Sequence, residues 1–275
     1  MVRMTSELES SPQEPVHHEL QTYVKEILLR IVVPIVVLLV LWQVIAVLSR
    51  TSLLDVMNAF IRLTTVGDSE GYLLSDHLLM SLTRVLLGFV FAAVTAIPLG
   101  VAVGRYRLAN WALGPVIEAM RPIPPIAWIP LSILMFRNNL LGAQVFIIWI
   151  GAFFPILIDT TTGVKRTEPV HIDVAKTFGA NEGQILSSIV VPSASPEIFS
   201  GLRIGFGIGW MCLVAAEMIG GGLGLGYLVI IMQQAGRTGA VIASMLVIGA
   251  IGIVISYAFL ILERNALKWR QAVSV

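Results

Sequence analysis

The sequence predicts an all-α integral membrane protein with about six transmembrane helices, and three observations predict it. Charged residues make up 13% of the 275-residue chain and hydrophobic ones 56%, against about 25% charged in ordinary soluble domains. Apolar runs recur at close to the roughly 20 helical residues that cross a bilayer core. None of these runs alternates with period two. At membrane depth each backbone amide must then be satisfied inside its own helix, and a barrel of strands is not written into the chain.

The elements follow in order. Residues 1–26 are polar and rich in Ser, Glu and Pro, whereas a secretory leader would place an apolar stretch nearer the start and follow it with small residues. They are read as a cytoplasmic tail, ahead of a membrane domain over 27–265 and a short cytoplasmic tail over 266–275. The first span, 31–48, has Gln43 as its strongly polar residue and is uncleaved. Five more runs of similar character occupy 82–104, 111–136, 141–158, 198–219 and 240–262.

Orientation comes from the basic residues beside short loops. Lys25 and Arg30 precede the first span, Arg105 and Arg107 follow the second, Lys165, Arg166 and Lys176 follow the fourth, and Arg264, Lys268 and Arg270 follow the sixth. The four lysines of the chain fall on this side, and the other side holds Arg50, Arg62, Arg137 and Arg237. The positive-inside rule then puts both termini in the cytoplasm of a multi-pass inner-membrane protein.

The third run is the least regular. Arg121-Pro-Ile-Pro-Pro-Ile-Ala-Trp-Ile-Pro130 carries four prolines, each removing an amide donor and disturbing the preceding turn, so a kinked or broken helix is expected. Irregular backbone survives at this depth only when buried in protein or lining a wet cavity. Pro122, Pro124, Pro125 and Trp128 are therefore read either as the wall of a pathway or as a kink packed against its neighbours. Small residues recur every fourth position at Gly88, Ala92, Ala96, Gly100 and Gly104, and again at Gly201, Gly205 and Gly209. Such stripes let helix backbones approach closely, within one subunit or between two.

Between the fourth and fifth spans, about residues 165–192, lies a polar segment with two sets of helix signals. Thr167 is a plausible N-cap ahead of Glu168 and Pro169, and Gly179 suits a helix end. Asn181 followed by Gln184 resembles a capping box, and Ile185, Leu186, Ile189 and Val190 give the second helix an apolar face that Pro192 would end. Ser195-Pro-Glu197 would open the fifth span. Two short amphipathic helices of this kind need a surface to pack against, either the bundle or another protein.

Asp173-Val-Ala175, Gly179, Ile189, Val191 and Pro192 resemble in spacing the "EAA" loop of type I ATP-binding-cassette importer permeases. Ser81-Leu-Thr-Arg-Val-Leu-Leu-Gly88, the proline-rich run Arg121–Pro130, Gly201-Leu-Arg-Ile-Gly-Phe-Gly207 and Ala215-Ala-Glu217 look like the nitrate, sulfonate, taurine and bicarbonate branch, with taurine-type permeases the nearest in appearance. The loop departs from the family pattern at Asp173 and Val174, where Glu and Ala are usual, and at Val191, where Leu is usual. Phe136-Arg-Asn-Asn-Leu-Leu-Gly142 replaces a glycine-containing stretch on the outer side.

The resemblance implies a MetI-like permease fold working as a homodimer. Each copy would dock on a cytoplasmic ATPase dimer that holds ATP and Mg, and a solute-binding protein would deliver cargo from outside. Asp173, Val174, Ala175, Phe178 and Gly179 would form the coupling helix, with Ala180, Asn181, Glu182, Ile185, Ile189 and Pro192 continuing the contact. Transport would run by alternating access, and the cargo implied is a small oxyanion, a sulfonate such as taurine ahead of nitrate or bicarbonate. The same helices in relatives carry a thiamine-precursor pyrimidine, which keeps the permease and changes the cargo.

Other chemistry finds little support. No G-x-x-x-x-G-K-[ST] occurs, so the chain cannot itself cradle ATP phosphates in the usual way, and Gly220–Gly226 is read as a turned loop near the outer face. His17, His18, His77 and His171 lack partners at metal-site spacing and are read as solvated, with no metal site. Cys212 is the one cysteine, and no G-x-S-x-G elbow suggests a hydrolase. The net charge of +1 gives no basic surplus for nucleic acid. A stand-alone membrane enzyme or receptor would need ligand residues clustered at one depth and no cytoplasmic hairpin.

Ionisable residues within spans are costly and point to function better than the histidines do. Arg84, Glu118, Arg121, Asp159, Arg203 and Glu217 are such residues, and Arg121 and Arg203 would otherwise snorkel to lipid phosphates. Arg84, Arg121, Arg203, Trp210 and Glu217 join the proline-rich segment as candidates for the pathway or its gate. Glu217 is expected to pair with Arg84.

Overall fold

A computed structural model of the chain describes residues 51–137 and 139–267, with scattered helical positions between 29 and 44. The predicted N-terminal tail and residues 268–275 of the C-terminal tail lie outside the described residues, as does much of the first span. Contacts divide the chain into units 1–53 and 54–275. In the first unit Val33, Val36 and Val40 are exposed helical positions.

Ten α-helices make up the rest of what is described: α1 Leu53–Thr65, α2 Leu74–Arg105, α3 Arg107–Met120, α4 Ile129–Phe136, α5 Leu140–Lys165, α6 Pro169–Thr177, α7 Glu182–Ile185, α8 Val191–Gly220, α9 Leu225–Gln234 and α10 Thr238–Ala266. Four helical stretches are long and apolar enough to cross a membrane: α2, α5, Glu182–Gly220 and α10. The expected break in the third span is present, α3 and the segment Pro125–Phe136 meeting at 89°. Pro124 and Pro125 force the chain out of α-helix there and into one 3-10 turn, Pro125–Trp128, before α4 begins. The ten residues of α9 reach about 15 Å, too short to cross.

α5 is the central post, with α2 packed on one side and α8 on the other. Both glycine stripes face it. A methyl group at Gly88 would lie 2.6 Å from Ile148, one at Gly104 2.7 Å from Val164, and one at Gly205 2.8 Å from Ile156. The stripes therefore close helix contacts inside this subunit. The inner face of the bundle is filled by Val85, Ile148, Leu213, Leu225 and Leu228, all fully buried. Along α10, Ile253, Val254 and Tyr257 stay about two-thirds exposed, as a face turned to lipid requires.

Two helices begin earlier than their apolar runs. α2 starts at Leu74, eight positions before residue 82, because its polar first turns are satisfied by protein rather than by water: Asp76 accepts from the Leu73 amide at 2.9 Å, and His77 and Ser81 are fully buried. α8 starts at Val191, and neither Pro192 nor Ser195-Pro-Glu197 marks a boundary. Instead a π-helical turn, Leu186–Val190, joins α7 to α8, with the Val191 amide reaching back five residues to the Leu186 carbonyl. The widened turn makes room for the Pro192 ring, so the proline that was expected to end the hairpin helix sits in the first turn of the span.

Candidate functional site

The hairpin between α5 and α8 is built as local chemistry dictates, with one exception. Glu168 precedes α6 as its N-cap, without a side-chain cap bond. Thr167, the expected cap, is buried, and its hydroxyl finds no partner among the described residues. α6 ends in a pair of bonds that requires a left-handed residue, Gly179 N to Lys176 O at 2.9 Å and Ala180 N to Ala175 O at 3.0 Å. Gly179 supplies it with φ of 80°. The capping box forms as read, Gln184 N donating to Asn181 Oδ1 at 2.9 Å and Asn181 N to Gln184 Oε1 at 2.8 Å.

The hairpin has two faces with different fates. Ile185 and Val190 are buried together with Val164, Ala194 and Ile198, and Ile172, Ala175, Ala180 and Leu186 close over them. Arg105 at the end of α2 donates to Glu182 at 3.0 Å, and Arg166 to Glu197 at 3.1 Å, fixing the hairpin to the bundle. Ile185, expected on the docking face, is thus an anchor, and Ala175, Ala180 and Ile189 are half-buried. Outward, Val170, Val174 and Phe178 form an i, i+4, i+8 stripe that is 66%, 49% and 86% exposed, with Asp173, Asn181, Glu182 and Pro192 exposed nearby.

The candidate pathway residues divide into separate places. Arg121 and Pro125 line a cavity of about 340 Å³ with Ile150, Phe154, Asp159 and Ile204. Pro122 and Pro124 form the turn beside it, both exposed. Trp128 turns the other way, against Ile129, Ile147, Cys212 and Ala216. Arg203 is partly buried and pairs with Glu263 of α10 at 3.4 Å. Trp210 is buried in the core beside Phe206 and borders an apolar groove with Gly249 and Gly252, away from the cavity at the break.

Arg84 and Glu217 form the pair the sequence suggested, Nη1 to Oε1 at 2.8 Å, in a fully closed cluster. Glu217 also accepts from the Ser81 hydroxyl at 2.8 Å and the Gly226 amide at 2.9 Å. Arg84 donates as well to the Leu223 carbonyl. The glycine-rich loop wraps this carboxylate so closely that a Cβ at Gly224 would overlap it. His77, expected in solvent, is buried, its Nε2 3.1 Å from Asp68 and its Nδ1 3.1 Å from the Gly224 amide. Sequence reasoning missed His77 and Ser81 here. Their spacing with Arg84, i, i+4 and i+7 on one helix face, was the available signal.

The binding-protein-dependent transport system inner membrane component profile matches residues 96–268. The chain belongs to that family. The permease is 41% identical over 90% of its length to a provisionally named ABC transporter permease protein of Methanocaldococcus jannaschii, covering 94% of that protein. It is 35% identical to the taurine transport system permease protein TauC of Escherichia coli and 33% identical to the nitrate import permease protein NrtB of Synechocystis, in each case over 86% of this permease and 88% of the relative. An inward-facing MetNI methionine ABC transporter structure shares the fold, with a TM-score of 0.60 at 18% identity over 67% of this permease and 92% of that chain. The permease is thus a transport component rather than an enzyme, with an all-α MetI-like fold.

Proposed function

We propose that this chain is the membrane subunit of an ATP-driven importer for a small oxyanion, a sulfonate such as taurine first, with nitrate or bicarbonate as the alternatives. The observation that carries the coupling half of this reading is the exposed stripe Val170, Val174 and Phe178 on a hairpin whose opposite face is clamped to the bundle. An apolar ridge on the cytoplasmic face of a membrane protein is out of reach of lipid, and it needs a protein groove.

In this reading two copies work together, each seated through its hairpin on one half of a cytoplasmic ATPase dimer that binds ATP and Mg, and a solute-binding protein docks outside. Both termini are cytoplasmic. ATP binding moves the hairpins, α8 follows through the π turn, and the break between α3 and α4 lies beside the route opened. The permease contributes a difference in stability between inward and outward states. Lone arginines suit sulfonate, nitrate and carboxylate groups through bidentate donation.

The test is uptake into proteoliposomes holding this chain with its genomically adjacent ATPase and binding protein, using labelled taurine competed by nitrate, bicarbonate and a pyrimidine. ATP-dependent uptake of taurine supports the reading. Uptake of another of these solutes keeps the importer and moves the cargo, and no ATP-dependent flux of any sinks it.

A further inference from the structure

We infer that the cavity at the α3–α4 break binds a small zwitterion, Arg121 taking its oxyanion and Asp159 its ammonium. The inference rests on the importer reading and narrows its cargo. Arg121 and Asp159 carry the charge of a chamber otherwise walled by Ile150, Phe154, Ile204 and Ile208. They come from different elements: Arg121 follows the last turn of α3, and Asp159 projects from the cytoplasmic half of α5.

Arg121 differs from the arginines that brace the bundle. Arg84, Arg105, Arg166 and Arg203 each hold a carboxylate, whereas Arg121 has no side-chain partner among the described residues. Asp159 likewise has no cation within ion-pair distance among them, and the Ser200 side chain lies beside it. Gly201 lets α8 press against it, since a methyl there would lie 2.9 Å from the Asp159 Cβ. The close contact of α8 sets the backbone of α5 at Asp159 beside the chamber.

Two unpaired opposite charges facing one apolar chamber without touching each other define a ligand by exclusion. A plain anion gains the guanidinium but meets the carboxylate. A plain cation meets the reverse. A molecule that carries both groups on a short spacer satisfies each and brings no net charge to a chamber whose other walls are largely apolar. The broken backbone at Arg121 is tolerated at such depth where it lines a cavity, which fits a binding chamber at this point.

The experiment measures ATP-dependent uptake of taurine and of ethanesulfonate, which lacks the ammonium, by the full assembly in proteoliposomes, with nitrate as a third solute. One binding-protein preparation serves all permease variants, so a change in the ratio of the two rates belongs to the permease. Expected results are a taurine preference in the natural sequence, a fall of that ratio of at least tenfold in Asp159→Asn, its recovery in Asp159→Glu, and loss of both fluxes in Arg121→Gln. Equal loss of both solutes in Asp159→Asn with no recovery in Asp159→Glu would make the carboxylate structural and overturn the inference. Preference of the natural sequence for ethanesulfonate or nitrate would also overturn it while leaving the importer intact. ATP-dependent flux of none of the three would remove the importer reading itself.

Discussion

At the scale of the residue, the closed cluster around Glu217 carries the sharpest predictions. Glu217 is fully buried and held by Arg84, Ser81 and the Gly226 amide, so removing one charge strands the other. Arg84→Met is expected to destabilise the protein by about 3–5 kcal/mol, because an uncompensated buried charge is the costly state. Arg84→Met with Glu217→Leu should recover part of that loss, and thermal unfolding of all four combinations in detergent gives the coupling directly. If the double variant is worse than the sum of the singles, the pair is not the source of the stability. At Gly224 the prediction is steric. A Cβ would overlap the Glu217 carboxylate, so Gly224→Ala should lower the melting temperature more than Gly207→Ala, whose added methyl meets open space.

At the scale of the element, the hairpin separates anchoring from docking. Phe178→Glu places a charge on an exposed tip that no core contact needs, so folding and membrane insertion should persist while stimulation of the partner ATPase and uptake are lost. Phe178→Leu should retain both. A Phe178→Glu variant with full uptake would remove the stripe from the coupling surface. The π turn offers a second test. Removing one residue from Leu186–Val190 would convert the i→i+5 turn into plain α-helix and close the room it leaves for the Pro192 ring between hairpin and α8. Deletion of Ser188, which is exposed, is therefore expected to uncouple ATP hydrolysis from uptake in a protein that still elutes as a folded species. Retained coupling would show that the register of hairpin and span is immaterial.

At the scale of the whole molecule, the distribution of lysine and arginine argues for one orientation, and the lone cysteine makes it measurable. Cys212 is buried, and a Cys212→Ser background leaves a free choice of labelling sites. A membrane-impermeant maleimide should label Tyr72→Cys in intact cells and Phe178→Cys only after permeabilisation. The reverse pattern would invert the topology and with it the side on which an ATPase could dock.

Much of this protein is legible in its sequence because the membrane simplifies the physics. A solvent without hydrogen bonds forces helices wherever apolar runs are long enough, so the four long spans among the described residues, the proline break at Arg121–Pro130, the glycine end at Gly179 and the Asn181–Gln184 capping box follow from residue types alone. The pairing of Arg84 with Glu217 was also within reach, since a buried charge demands a partner. What the sequence could not determine depends on which surfaces meet. Ser195-Pro-Glu197 reads locally as a helix start, yet the π turn ahead of Pro192 lets one helix run through. His77 reads as an outer, solvated histidine until the Gly220–Gly226 loop closes over it. Ile185 reads as a docking residue until α2, α5 and α8 bury it. Nor does spacing place Arg121 and Asp159, far apart in the chain, on one chamber. That juxtaposition arises from the 89° bend and the close seating of α8 on α5, and only tertiary structure decides it, because long-range contact leaves no mark on local sequence.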